Sequence, residues 1–451
     1  MNDETRLKKL QWAIHGVKAP FSSEGNFVPD EPISVVFRDR SRFTVTRAEN
    51  SYKQVETLRP LIERCETATF GDKRQTRKDR SVRDALQLKA DKSGFSIEHF
   101  DPESAGILDS IRRQMLPPNS PPMTAELYAI NIYQSGGHFA PHKDTPRGQD
   151  MFGTLVVCLP SQFWRGEFVL NHRGVVQRCD WGTKISTQKE ERQLHWVAFF
   201  GDVDHQVEEV GAGARVTITY LLRRDDQFVP SKPDTNDDFA PAIVDAWREL
   251  LADPRFLPEG GIVGYPCGHL YHQDTRFQVQ RTLLDPQSAN MLKGRDQLIA
   301  AAALQAGLEV SFAPYLFETC VDETWQLDRF PTQKEKSKMK SQMDLSALES
   351  ALPIHGESSE KVGDFGITWL EPPPTSRSIA VPDSNAESDS RQPAAGRLHS
   401  CEYCEWGYFG NEASDVDFYI FAALHVRIPK FGNVPRVSSK LASRTKKGRR
   451  A

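Results

Sequence analysis

What this sequence lacks narrows it before any motif is found. No apolar run approaches the roughly 20 residues that a helix needs to cross a bilayer; the apolar stretches are strand-sized or spaced for helical faces. The opening MNDETRLKKLQWAIHG is charged and holds no long apolar segment, so no signal peptide is expected. Neither sign of charge prevails: 57 Lys and Arg against 61 Asp and Glu give no global pull toward nucleic acid or an anionic membrane. Cysteine is scarce, odd in number and scattered, at Cys65, Cys158, Cys179, Cys267, Cys320, Cys401 and Cys404. Such usage fits reduced thiols better than a disulfide framework, and so a cytoplasmic setting, with a nuclear one left open by the basic C-terminal tail.

What remains is ordinary in composition and long enough, at 451 residues, for two or three domains. Residues 1–30 read as a loosely ordered lead-in. ISVVFRDRSRFTVTRA, from Ile33, alternates like two strands, and VETLRPLIERCETA, from Val55, has helical spacing. The Arg- and Lys-rich 70–85 reads as a solvated loop, with a groove for an acidic partner as the alternative. A helix capped by Asp101 follows. From Glu126, short β-type runs (ELYAINIY, FGTLVVCL, GEFVLNH, GVVQRCD, HWVAFF, ARVTITYLL) are separated by Gly, Asp, Pro and Asn. That rhythm predicts an α+β protein with a double-sheet jelly roll, a double-stranded β-helix, over 123–225. Flanking helices complete a unit of 1–225. A C-terminal α/β region, or one of α+β type, is expected over 226–370 and again over 398–436, interrupted by a Pro- and Ser-rich disordered linker at 371–397. Residues 437–451 form a basic tail, read as solvated, as a nuclear signal or as a nucleic-acid contact.

The strand-rich core carries a constellation with a chemical meaning. His142 and Asp144, at i and i+2, face one side of a strand end, where Gly136 and Gly137 just upstream permit a bend. His205 comes 63 positions later, between two strands, and Arg215 ten positions after that, opening the strand that follows an expected turn at VGAGA. Two imidazoles and a carboxylate converging on one ion make the facial triad that holds non-haem Fe(II) and leaves three coordination positions open. A buried Arg215 would grip a carboxylate two-pronged, with Tyr133 as a further hydrogen-bond donor.

Other motifs are weaker. His272-Gln273-Asp274 repeats the H-x-D, but without the strand context or a matching His-then-Arg, and reads as incidental. Cys401 and Cys404, with His399 nearby, form a lone C-x-x-C, better read as free thiols than as zinc ligands. His138, His172 and His195 read as hydrogen-bonded structural or rim histidines.

On AELYAINIYQSGGHFAPHKDTPR, MFGTLVVCLPS and GEFVLNHRG, residues 65–225 resemble the 2-oxoglutarate/Fe(II) dioxygenase superfamily, specifically its prolyl 4-hydroxylase-like branch. The resemblance implies His142, Asp144 and His205 as iron ligands, Arg215 on the 2-oxoglutarate carboxylate, and Tyr133 as its helper. It implies hydroxylation with O2, release of succinate and CO2, and ascorbate as a candidate reductant. Asp144, where halogenases have Gly or Ala, leaves no position for halide. Leu221 stands where the nucleic-acid demethylase branch has a second arginine. A protein or peptide (prolyl) side chain is the expected substrate. Oxidation of a small molecule and a non-catalytic interaction module on the same scaffold are the alternatives.

Overall fold

The computed structural model describes residues 3–72, 75–117, 120–225, 240–274, 282–315, 367–371, 409–410 and 417–432. Two antiparallel sheets dominate up to residue 225. The larger runs in the order Ser22–Phe27, Leu194–Phe200, Met151–Cys158, Val210–Arg224, Met123–Gln134, Leu86–Lys89, Glu66–Thr67, with Phe163–Arg165 also pairing Val210–Arg224. The smaller runs Val175–Cys179, Phe168–His172, Asp204–Val207, His138–His142, Arg83–Asp84. Phe139, Phe168, Leu170 and Val207 of the small sheet share one hydrophobic core with Ile132, Leu155, Phe199 and Val216 of the large one.

The two central strands MFGTLVVC and LHWVAFF are buried at every position, not on alternate residues. Apolar but for Thr154 and His195, they require cover on both faces. Leu58 and Leu61 of the helix Ser51–Ile62, with Ile107, Ile111 and Met115 of the helix Ile107–Met115, join the same core. The mixed helix-and-antiparallel-sheet class expected from the sequence is the one observed.

Several expectations need correction. The lead-in is ordered: Asp3–Gly16 is a helix and Ser22–Phe27 an edge strand. SSEGNF has one β-favouring residue, Phe27; it forms a strand because it pairs the otherwise bare edge of Leu194–Phe200. Gly25 is suited to that register, since a Cβ there would lie 2.6 Å from the Trp196 ring. VGAGA is not a turn: it lies within Val210–Arg224, where it pairs Phe163–Arg165.

The described residues between 240 and 428 supply a second core. The helix Asp3–Gly16 contributes Leu7, Leu10 and Ile14, packed with Trp247, Leu251 and Ile299 of the helices Pro241–Ala252 and Gly294–Gln305. The expected 1–225 unit thus gives its first helix to the second core. The sheet there runs Thr282–Leu284, Glu309–Tyr315, Asp417–Ile428, Gly261–Pro266, Ile367–Trp369, with Tyr271–Asp274 also on Asp417–Ile428. Among the described residues only its Gly261–Pro266/Ile367–Trp369 pair is parallel. Of the two types expected, α/β and α+β, the described residues of this region show the second. The second H-x-D does have strand context, since it ends Tyr271–Asp274. The linker from 372, His399, Cys401, Cys404 and the basic tail lie outside the described residues. No helix among the described residues is long and apolar enough to cross a membrane.

Candidate metal centre

The bend before His138–His142 comes from backbone that only glycine tolerates. Gly136 has φ +83, and a Cβ on Gly137 would meet the Gln134 and Asp84 carbonyl oxygens at 2.8 and 2.9 Å. The turn sends the chain from the large sheet into the small one, where His142 stands directly opposite His205 of Asp204–Val207. The two imidazole centroids are 4.1 Å apart. Asp144 Oδ1 lies 3.7 Å from His205 Nε2, and the three ligand atoms all fall within 4.8 Å of one another. All three side chains are buried.

Hydrogen bonding fixes which atoms face the centre. His142 Nδ1 lies 2.9 Å from the Ala140 carbonyl and His205 Nδ1 3.0 Å from the Val203 carbonyl. A carbonyl only accepts, so each Nδ1 carries the proton and each Nε2 keeps its lone pair for an ion. Burial and then the neighbouring His205 hold His142 neutral, well below the ordinary imidazole range. The Thr154 hydroxyl donates to Asp144 Oδ2, and the Asp144 amide donates to the Gly201 carbonyl at 3.2 Å. The donor set and its outer partners suit a divalent transition ion.

Arg215 faces Tyr133 in register across the adjacent strands and lines the same pocket as the triad. Its guanidinium carbon lies 5.2 to 5.7 Å from the Trp181, Tyr133 and Phe168 ring centroids, and its side chain is only 1 % exposed. Nε and Nη2 are buried with no hydrogen-bond acceptor. Burial lowers its pKa from the ordinary arginine value. A buried, unsatisfied guanidinium costs several kcal/mol on general grounds. An incoming carboxylate would satisfy it.

Sequence reasoning missed part of this surrounding. Arg83, also buried, stacks over Phe139, whose ring stacks in turn on His142. Its Nη2 and Gln87 Nε2 both donate to Asn131 Oδ1 at 2.9 Å. The run 70–85 read as solvated therefore contributes one side chain to the pocket wall. His138 bridges the Gly136 and Ser81 carbonyls and His195 contacts Gln188, as structural histidines do.

His172 is different: with Asp202 and His269 it forms a second group whose ligand atoms lie within 4.8 Å of one another. There the Lys293 ammonium already bonds Asp202 at 2.8 Å, so a cation's charge is present without a metal. No local pattern signals His269 or Lys293, which lie 67 and 91 positions from Asp202.

Geometry and chemistry together define a buried two-His, one-carboxylate centre beside a carboxylate-seeking arginine. No protein-family model matches the sequence, and no curated relative does. The solved structures that it resembles include a Pseudomonas putida prolyl-4-hydroxylase, at 16 % identity and TM-score 0.28 over 48 % of this chain and 99 % of that one. Another is a 2OG-Fe(II) oxygenase family protein from Burkholderia pseudomallei, at 16 % identity and TM-score 0.24 over 49 % and 91 %. A third is a Trichoplax adhaerens prolyl hydroxylase in complex with a hypoxia inducible factor peptide fragment, at 13 % identity and TM-score 0.27 over 51 % and 94 %. Overlaps of this quality carry no function across by themselves.

Proposed function

We propose that the protein is an Fe(II)- and 2-oxoglutarate-dependent dioxygenase on a double-stranded β-helix core, hydroxylating a protein or peptide side chain, prolyl by the sequence resemblance. The observation that carries this reading is Arg215, a buried guanidinium without acceptors beside the triad. His142 Nε2, Asp144 Oδ1 and His205 Nε2 would hold the iron. Iron so held supplies O2 activation coupled to decarboxylation of 2-oxoglutarate, one oxygen atom entering a substrate C–H bond and the other succinate.

The chain's own residues do the rest. Arg215 takes the distal carboxylate two-pronged, and Tyr133 beside it donates a further hydrogen bond. Thr154 holds Asp144 by one oxygen, which leaves the other for the ion. The Phe139, Phe168 and Phe199 rings around the imidazoles exclude water from the reacting centre.

The test is succinate release by the purified protein with Fe(II), ascorbate and 2-oxoglutarate. His142→Ala and Asp144→Ala are each expected to abolish it. A wild-type protein without turnover, or variants that retain it, would rule the reading out. Mass spectrometry for +16 Da peptide products then separates a peptide substrate from a small molecule.

A further inference from the structure

The turn that joins Leu194–Phe200 to His205 is held from outside the sandwich. The Gly201 carbonyl receives the Asp144 amide at 3.2 Å, and the Val203 carbonyl receives His205 Nδ1–H at 3.0 Å. Two of the three candidate ligands are thus oriented by carbonyls flanking one residue, Asp202. Asp202 is 4 % exposed and bonded to the second region. Its Oδ2 accepts the Leu270 amide at 2.9 Å and lies 3.0 Å from His269 Nδ1. Its Oδ1 accepts Lys293 Nζ at 2.8 Å.

The partners are themselves fixed. Lys293 Nζ also donates to the Leu270 carbonyl at 2.7 Å. Fully buried Asp296 takes the Gly268 and His269 amides and the Tyr271 hydroxyl, at 2.7, 3.0 and 2.8 Å. The His269 ring lies between His172, stacked at 4.4 Å, and Phe200, edge-on at 4.8 Å.

We propose that Lys293 and His269 are positioning residues: together with the 268–271 segment they brace Asp202, and through it set the orientation of Asp144 and His205. The proposal rests on the metal-centre reading above and assigns the second region a part in the reaction without any contact with substrate. A buried ion pair is a poor stability device, because desolvation cancels most of its attraction. It is an effective geometric one, since each partner has a single well-bonded place. Metal ligands lose affinity by about 10- to 100-fold when their outer partners are removed.

The experiment titrates the full-length, metal-free protein with Co(II), reading affinity and the d–d absorption of the bound ion, and records each variant's Tm. Lys293→Met is expected to bind Co(II) about 10- to 100-fold more weakly, with an altered absorption envelope. Asp202→Asn, which keeps the shape and loses the charge, should shift affinity in the same direction and covers the case that Lys293→Met does not fold. Leu251→Ala, in the second core and away from the turn, should lower Tm while leaving affinity and spectrum at wild-type values. Wild-type Co(II) behaviour in both Lys293→Met and Asp202→Asn, or losses in all variants that merely track Tm, would overturn the brace. Absence of a His142-dependent Co(II) spectrum in the wild type would overturn the metal reading, and the brace with it.

Discussion

At Arg215 the cost of a residue and its use are opposite sides of one fact. Without a ligand the guanidinium is buried and short of acceptors; with a carboxylate it gains charge-assisted bonds worth about 1.5–3 kcal/mol each. Arg215→Met should therefore raise the KM for 2-oxoglutarate on the order of 100-fold. The same substitution should raise the Tm of the ligand-free protein, since it removes an unpaired buried charge. Arg215→Lys should restore little binding, because an ammonium lacks the planar fork. Steady-state kinetics and calorimetry check the three expectations.

Histidines set a pH dependence at the same scale. Burial lowers His195 to about 4, and burial followed by the neighbouring His269 puts His172 well below its ordinary value. Both bind protons more readily when the chain unfolds, so acid favours the unfolded state. Stability should be full above about pH 6.5 and fall below it, by up to about 1.4 kcal/mol per pH unit for each histidine. Urea midpoints of the metal-free protein between pH 7 and 5 measure the slope; a flat profile would refute it. The convergence of the triad beside Arg215 was legible in the sequence because it is made of two short-spaced pairs, His142 with Asp144 and His205 with Arg215, each at β-type runs. Lys293 was not, since its partnership with Asp202 exists only after two distant segments meet.

At the scale of elements, the sheets follow from two signals of unequal strength. Strongly apolar strands such as MFGTLVVC announce themselves, and their need for cover on both faces explains the helices beside them. Edge strands such as SSEGNF are made by their neighbour, so composition does not reveal them. Val210–Arg224 shows how glycine misleads in the same way. Gly211 and Gly213 look like a turn, yet they let Phe163–Arg165 close onto the strand. Gly213 has φ +82, and a Cβ there would lie 2.2 Å from the Gln162 carbonyl oxygen. Gly213→Ala should destabilise by at least about 2 kcal/mol in urea unfolding, through backbone strain as well as the clash. It should also loosen the start of the strand that carries Arg215, raising the 2-oxoglutarate requirement.

At the scale of the whole molecule, the described residues build two large cores that meet at Asp202 and Arg224. Arg224 donates to the Asn290 and Met291 carbonyls at 3.0 and 2.6 Å, and burial lowers it to about 10. Leu7, Leu10 and Ile14 pack with side chains that follow residue 240, while the sandwich with its candidate centre lies between them in sequence. The sandwich is thus an insertion inside the second unit. A chain cut after 225 would bare the apolar stripe of the first helix and strand the Asp202 carboxylate. Such a fragment should self-associate in light scattering even if its sheets form. In the intact chain, contacts spanning more than 200 residues close the second core, a separation that slows folding by the loop-closure entropy it carries. The candidate metal ligands would then reach their final geometry late, only once the last strands have docked, so on the proposed reading newly made protein is expected to capture metal as its final step of maturation.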